Sequence, residues 1–161
     1  MDVQGFCGNG NKFVVKECAV LSTTNPHVQH WIVAPPYDFY DLTKPKRKTA
    51  SWIKNNHLGL AWSDGGVEYN QFATDLRAVC YEASRVFVKG EEKTAFIAQL
   101  LNTEVVDVGD HGAPQLKTLM RCANVPVLRC LRHCKDKNTV CALSFADKLK
   151  YWINSNYHVF A

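Results

Sequence analysis

The chain reads as a single α/β domain over residues 1–161: a mixed β-sheet, flanked by helices, that starts as an antiparallel meander and continues with alternating strands and helices. Three observations predict that class. The first forty residues hold three short β-branched and apolar runs separated by turn signals. After Pro35-Pro36 the apolar period changes from that of a strand to that of a helix. From there helical and strand-like stretches alternate, the order that builds a layered α/β sheet.

Val3-Gln4-Gly5-Phe6 opens the first strand, and Asn9-Gly10-Asn11 is a hairpin-type turn signal. Lys12 to Leu21 (KFVVKECAVL) is rich in residues that suit a pleated surface. Val28 to Ala34 (VQHWIVA) is a third run, stopped by prolines that lack the N–H a ladder needs. Lys46 to Asn55 reads as a helix starting after Pro45. Trp52 is expected in the core beneath it. Ser63-Asp64-Gly65-Gly66 is a turn. Between Tyr69 and Ala83, the residues Phe72, Leu76, Val79, Cys80 and Ala83 mark one helical face. Val86-Phe87-Val88 is a short strand. Glu91 to Leu101 is a helix whose first-turn acids suit its dipole. Glu104 to Val108 is another strand, and Pro114 to Cys122 and Ala142 to Asn154 are the last helices.

The balance of 47% hydrophobic and 21% charged residues is that of one globular domain with a core. No apolar run reaches membrane-spanning length, so no membrane partner is expected. MDVQGFCGNG lacks the basic start and apolar stretch of a signal peptide. Together these predict an intracellular protein, cytoplasmic or nuclear. In that setting seven cysteines favour reduced thiols and metal over disulfides. Cys7, Cys18 and Cys80 are expected as small buried side chains.

Four of the cysteines crowd together, and they carry the main motif: Cys130-x-x-His133-x7-Cys141. Thiolates and an imidazole suit zinc, and the short spacing puts two ligands on one turn while Cys141 closes a loop. A fourth ligand must come from elsewhere. Cys134, beside His133, is a rival ligand.

Charge is uneven. Net charge is +4, but residues 117–150 hold eight Lys/Arg against two Asp, leaving the remainder at −2. Lys46, Arg47 and Lys48, with Trp52 and Lys54, form one patch; Arg129, Arg132, Lys135 and Lys137 form another. Cations that neutralise phosphates beside aromatic faces that stack bases suit single-stranded RNA. Asp107, Asp110 and His111 read as a capped loop, with no nucleophile beside them. Asp2, read alone, is a terminal acid on a frayed strand.

Asp2-Val3-Gln4 stands where the DEDD exonucleases of the ribonuclease-H-like superfamily carry a metal-binding Asp-x-Glu. KFVVKECAVL is similar to that family's second strand and HWIVAPP to its third. His57-Leu58-Gly59-Leu60, Val86 to Gly90 and Val106-Asp107-Val108 resemble later pieces. The resemblance implies a ribonuclease-H-like mixed sheet. The chain departs from the pattern at the acids. Gln4 is an amide, the middle aspartate falls near Lys93, and the final His-x-Ala-x-x-Asp meets Val140, Ala142 and Phe145, with Asp147 two residues late. Two-metal hydrolysis needs carboxylates around two cations. Asp2 and Gln4 therefore read as remnants, and no catalytic set is expected.

The Maelstrom-type domain is a branch of that superfamily that lacks the carboxylates and carries a Glu-Cys-His-Cys zinc site. This chain resembles it through Glu17, Cys130, His133 and Cys141, in that order. The resemblance implies a structural zinc and RNA binding in a small-RNA or transposon-silencing setting. Two other readings stay open. One is an active single-strand nuclease, working through a metal at Asp2 or without metal. The other is a protein-interaction module of a mobile element or virus.

Overall fold

Strand pairing in the first third of the chain follows from its turns. In the computed structural model, which describes residues 1–121, 127–134 and 138–161, β1 (Asp2–Cys7), β2 (Phe13–Leu21) and β3 (Val28–Ile32) form an antiparallel meander in that order. The β1–β2 turn places Gly10 at φ +64 and Asn11 at φ +57, the left-handed region those residues tolerate best. β4 (Arg85–Val88) pairs parallel with β5 (Glu104–Asp107) in a second sheet, so among the described residues the single mixed sheet expected from the sequence is two sheets, one antiparallel and one parallel. Helix α3 (Glu91–Leu100) makes the crossover that a parallel pair requires. The backbone nitrogen of Met1 donates to the Phe87 carbonyl at 2.9 Å, which sets the start of β1 against β4.

The meander holds a bulge that decides its polar face. Gln4 pairs with Glu17, and the next residue, Gly5, pairs with Val15, so Lys16 has no partner on β1. An extra residue on one strand shifts the alternation of side chains by one. Val14 and Phe6 lie on one face below the bulge; above it Glu17 and Ala19, rather than Lys16 and Cys18, continue that face. The Lys16 ammonium leaves the sheet and donates to the carbonyls of Val33, Trp62 and Asp64.

The opposite face is the main core. Val3, Val15, Cys18 and Trp31 pack against Phe72, Leu76 and Cys80 of α2 (Tyr69–Cys80) and Ile97 of α3. On the polar face, Ala19 and Leu21 meet Ala142 and Ala146 of α5 (Ala142–Ser155). The small alanines let the N-terminal half of that helix approach the sheet closely. Its C-terminal half packs Leu149 and Ile153 with Phe87 and with Leu119 of α4 (Leu116–Arg121).

Helix α1 (Lys44–Ile53) has a proline in its first turn and runs into a π-turn over Lys54–Leu58, ended by Gly59 at φ +69. It buries Ala50, not Trp52, which is 60% exposed. Two residues along a helix are about 200° around its axis, so docking through Ala50 turns Trp52 to solvent. The expectation of a core Trp52 is thus corrected. Asp2 is corrected in the other direction, being buried rather than frayed. Cys18 and Cys80 are buried, but Cys7 is half-buried beside Lys46. The six described cysteines are free thiols; Cys122 lies outside the described residues. Among the described residues, no helix is long and apolar enough to cross a membrane.

A candidate metal centre between the meander and the loop before α5

Glu17 is the hub of a buried polar cluster. The bulge turns it toward α5, where its side chain is fully buried. Its Oε1 lies 2.9 Å from His133 Nε2, 2.8 Å from His30 Nε2 and 3.5 Å from Cys141 Sγ. Its Oε2 accepts the Ala142 N–H at 2.9 Å, one of the amides that the first turn of a helix leaves unpaired. His133 is gripped from its other side: Nδ1 is 2.7 Å from the Leu58 carbonyl. That bond fixes the ring and aims Nε2 at Glu17; a metal at Nε2 would displace the proton there and leave the one on Nδ1.

The loop carrying Cys130 and His133 is tied to α5. The Leu128 N–H donates to Asp147 Oδ2 at 3.0 Å, and Ser144 Oγ donates to the Leu128 carbonyl at 2.7 Å. Cys130 Sγ accepts the Arg132 N–H at 3.4 Å, which tightens the turn between Cys130 and His133.

The donor atoms of His133, Cys134 and Cys141 lie within 4.8 Å of one another, and so do those of Glu17, His30 and Cys130. The Glu17 contacts to His133 and Cys141 join the two groups. Bonds of 2.0–2.3 Å at tetrahedral angles put ligand atoms about 3.3–3.8 Å apart. The Glu17–Cys141 spacing falls in that range, while the Glu17–histidine spacings are shorter, at hydrogen-bond length; both groups could hold a metal ion. All four residues that the sequence reading assigned to metal, Glu17, Cys130, His133 and Cys141, are buried here.

The cluster balances its own charge through mutual hydrogen bonds. Burial alone would raise the Glu17 carboxyl, but hydrogen bonds from His133, His30 and the Ala142 N–H pull it down to about 2. Burial alone would lower His133; its bonds to Cys141 and Glu17 instead raise it to about 10. Burial would raise Cys141, yet the bond from His133 holds it low. Cys134 is pushed up to about 12, by burial first and by Cys141 second. Cys141 is thus the more acidic thiol of the adjacent pair and the better thiolate ligand.

His30 is the residue that sequence reading missed. It sits opposite Ala19 on β3, on the face that holds Glu17. A histidine in an apolar strand run was its only signal.

Asp2 and Gln4 share that face but not that cluster. Asp2 Oδ1 accepts Lys93 Nζ at 2.7 Å and Oδ2 accepts Gln4 Nε2 at 2.6 Å. Lys93, from the first turn of α3, thus supplies the positive charge that this buried carboxylate requires. Asp107 caps two loop amides, those of Gly90 and Gly109.

The basic residues divide into two kinds. Lys46 Nζ donates to Asn11 Oδ1 at 2.6 Å and lies 3.0 Å from Cys7 Sγ; Arg47 donates to the carbonyls of Tyr40 and Leu42. Both hold loops in place. Lys44, Lys48, Trp52 and Lys54 are exposed, and Arg129 and Arg132 are exposed on the 127–134 loop. Lys135 lies outside the described residues. The two groups meet different elements: α1 lies against Cys7 and Asn11, whereas Arg129 and Arg132 line a groove with His30 and Ile32. Comparison of the chain with protein-family models, with curated proteins and with solved structures finds no match.

Proposed function

We propose that the protein is a ribonuclease-H-like domain of the Maelstrom type that a structural zinc staples together and that binds single-stranded RNA without cutting it. The observation that carries the reading is the buried Glu17–His133–Cys141 cluster with Cys130 beside it. Two thiolates, one imidazole and one carboxylate suit zinc better than magnesium or calcium. Four protein ligands leave no position for a water, so the metal is structural and its binding energy is folding energy. It would join β2, the 130–134 loop and the start of α5. His30 then orients the Glu17 carboxylate from outside the ligand set.

Lys93 supports the loss of hydrolysis. Its ammonium pairs with Asp2, and Gln4 brings no second negative charge. Two cations need several carboxylates. RNA binding rests on the exposed face of α1, where Lys44, Lys48 and Trp52 follow one another at four-residue spacing, and on the exposed Arg129 and Arg132 of the 127–134 loop. The order of the elements, a meander and then a parallel strand pair, supports the superfamily reading, and the Met1–Phe87 bond is where the two sheets meet.

The experiment is a paired one. Purified protein should hold about one zinc per chain by elemental analysis, and should shift a single-stranded RNA in a native gel while leaving it intact in manganese. Protein without zinc would refute the staple, and RNA degradation that Asp2→Ala abolishes would refute the silent site.

A further inference from the structure

Among the described residues, the outer edge of β3 is open over residues 28–30. The Val33 N–H donates to the Lys16 carbonyl and the Ser22 N–H to the His27 carbonyl, with unbroken register between. Odd-numbered residues of β3 therefore direct their backbone groups at β2. Val28, His30 and Ile32 direct theirs outward. One of these is used: the Ile32 carbonyl accepts the Gly66 N–H at 3.0 Å, where the chain briefly runs parallel to Val33. Among the described residues, the N–H groups of Val28, His30 and Ile32 and the carbonyls of Val28 and His30 have no backbone partner.

Edges of this kind are usually blunted by lysine, proline or a covering segment. This one carries Val28, which is 39% exposed. Beside it lies an open groove of about 510 Å³, lined by His30, Ile32, Arg129, Leu131, Arg132 and Leu143 among others. Leu131 is 100% exposed on its wall.

Outward N–H and C=O groups at every second residue match an extended polypeptide and have no counterpart in a polynucleotide. Alternate side chains of an added strand would point to the α5 side and enter the groove. There they would meet leucines and two arginines. We propose that the free edge of β3 takes up an extended acidic segment of a partner protein as an added strand, with apolar side chains against Leu131 and Leu143 and carboxylates at Arg129 and Arg132. This goes beyond the RNA reading: it shares Arg129 and Arg132 with it but is carried by a different observation, the unpaired backbone of Val28 and His30 among the described residues.

The test uses the full chain and a fluorescein-labelled peptide with the repeat Glu-Thr-Val-Thr, which presents Glu and Val alternately on one face. Two control peptides carry Lys for Glu, or N-methyl groups on alternate amides. Two protein variants are Val28→Pro and the pair Arg129→Glu/Arg132→Glu. Val28→Pro removes an outward N–H and no bond to β2, and the N-methylated peptide probes the same bonds on unaltered protein. By fluorescence anisotropy, the acidic peptide should bind saturably. Each change should weaken it about tenfold or more. Amide exchange at Val28, His30 and Ile32 should slow on binding. No saturable binding would overturn the proposal. So would binding that falls with the arginine pair but ignores both Val28→Pro and N-methylation, since that is a plain anion site. A ten-residue oligouridylate that binds this edge, with the peptide failing to bind, would assign the groove to RNA and also overturn it.

Discussion

Two lysines are held inside the protein by groups they complete. Lys93 answers the Asp2 carboxylate at 2.7 Å, in a place where burial raises the carboxyl and Lys93 works against that rise. Removing one partner of such a pair leaves a buried charge, at a cost of about 3–5 kcal/mol. Lys93→Met should therefore lower the unfolding temperature sharply, and Asp2→Asn in the same chain should restore most of the loss; equal damage from the double variant would show that the pair is not the cause. Lys16, the residue left unpaired by the bulge, gathers the carbonyls of Val33, Trp62 and Asp64. Lys16→Met would orphan them, and urea titration should show a loss of about 3 kcal/mol or more. A loss under about 1 kcal/mol would mean that water replaces the ammonium.

The elements explain which parts of the site were legible. Cys130, His133 and Cys141 show in the sequence because a turn and a short loop keep them together. Glu17 was reached only through resemblance. Its contact with His133 spans 116 positions, and no local pattern carries such a distance. His30 was not legible at all. Its place depends on the pairing of β2 with β3 and on a one-residue bulge at Lys16 that decides which side chains face α5. Strict alternation would have sent Lys16 there instead of Glu17. Trp52 was misplaced for a related reason, since helical period gives a face but not the residue on which the helix docks. The strand and helix runs were found within a few residues of their ends, because turn residues and apolar period are local signals. At this scale the staple makes a prediction. Cys130→Ser or His133→Ala should reduce zinc content and speed amide exchange in the 127–134 loop and the first turn of α5 more than in α2. Uniform acceleration across the chain would instead mean global destabilisation.

At the scale of the molecule, a core on one face of the meander leaves the other for polar work. Glu17 and His30 occupy one part of that face and Asp2 with Gln4 another. Exposed cations lie on α1 and on the 127–134 loop. Lys48→Glu/Lys54→Glu should weaken RNA binding across sequences and flatten its dependence on salt, since each lost phosphate contact releases fewer counterions. Lys46 and Arg47 are poor choices for that test, because they anchor loops. Unchanged affinity in the Lys48/Lys54 variant would move RNA off this surface.

The central claim is that the cation of this fold sits at Glu17, Cys130, His133 and Cys141 and not at Asp2. The most direct measurement is an anomalous difference map from crystals grown with manganese present, collected on both sides of the zinc edge. The account predicts a zinc peak bonded to those four side chains, about 2.0–2.3 Å from each, and no manganese peak beside Asp2. A metal peak at Asp2, or no zinc peak within the Glu17 cluster, would contradict it.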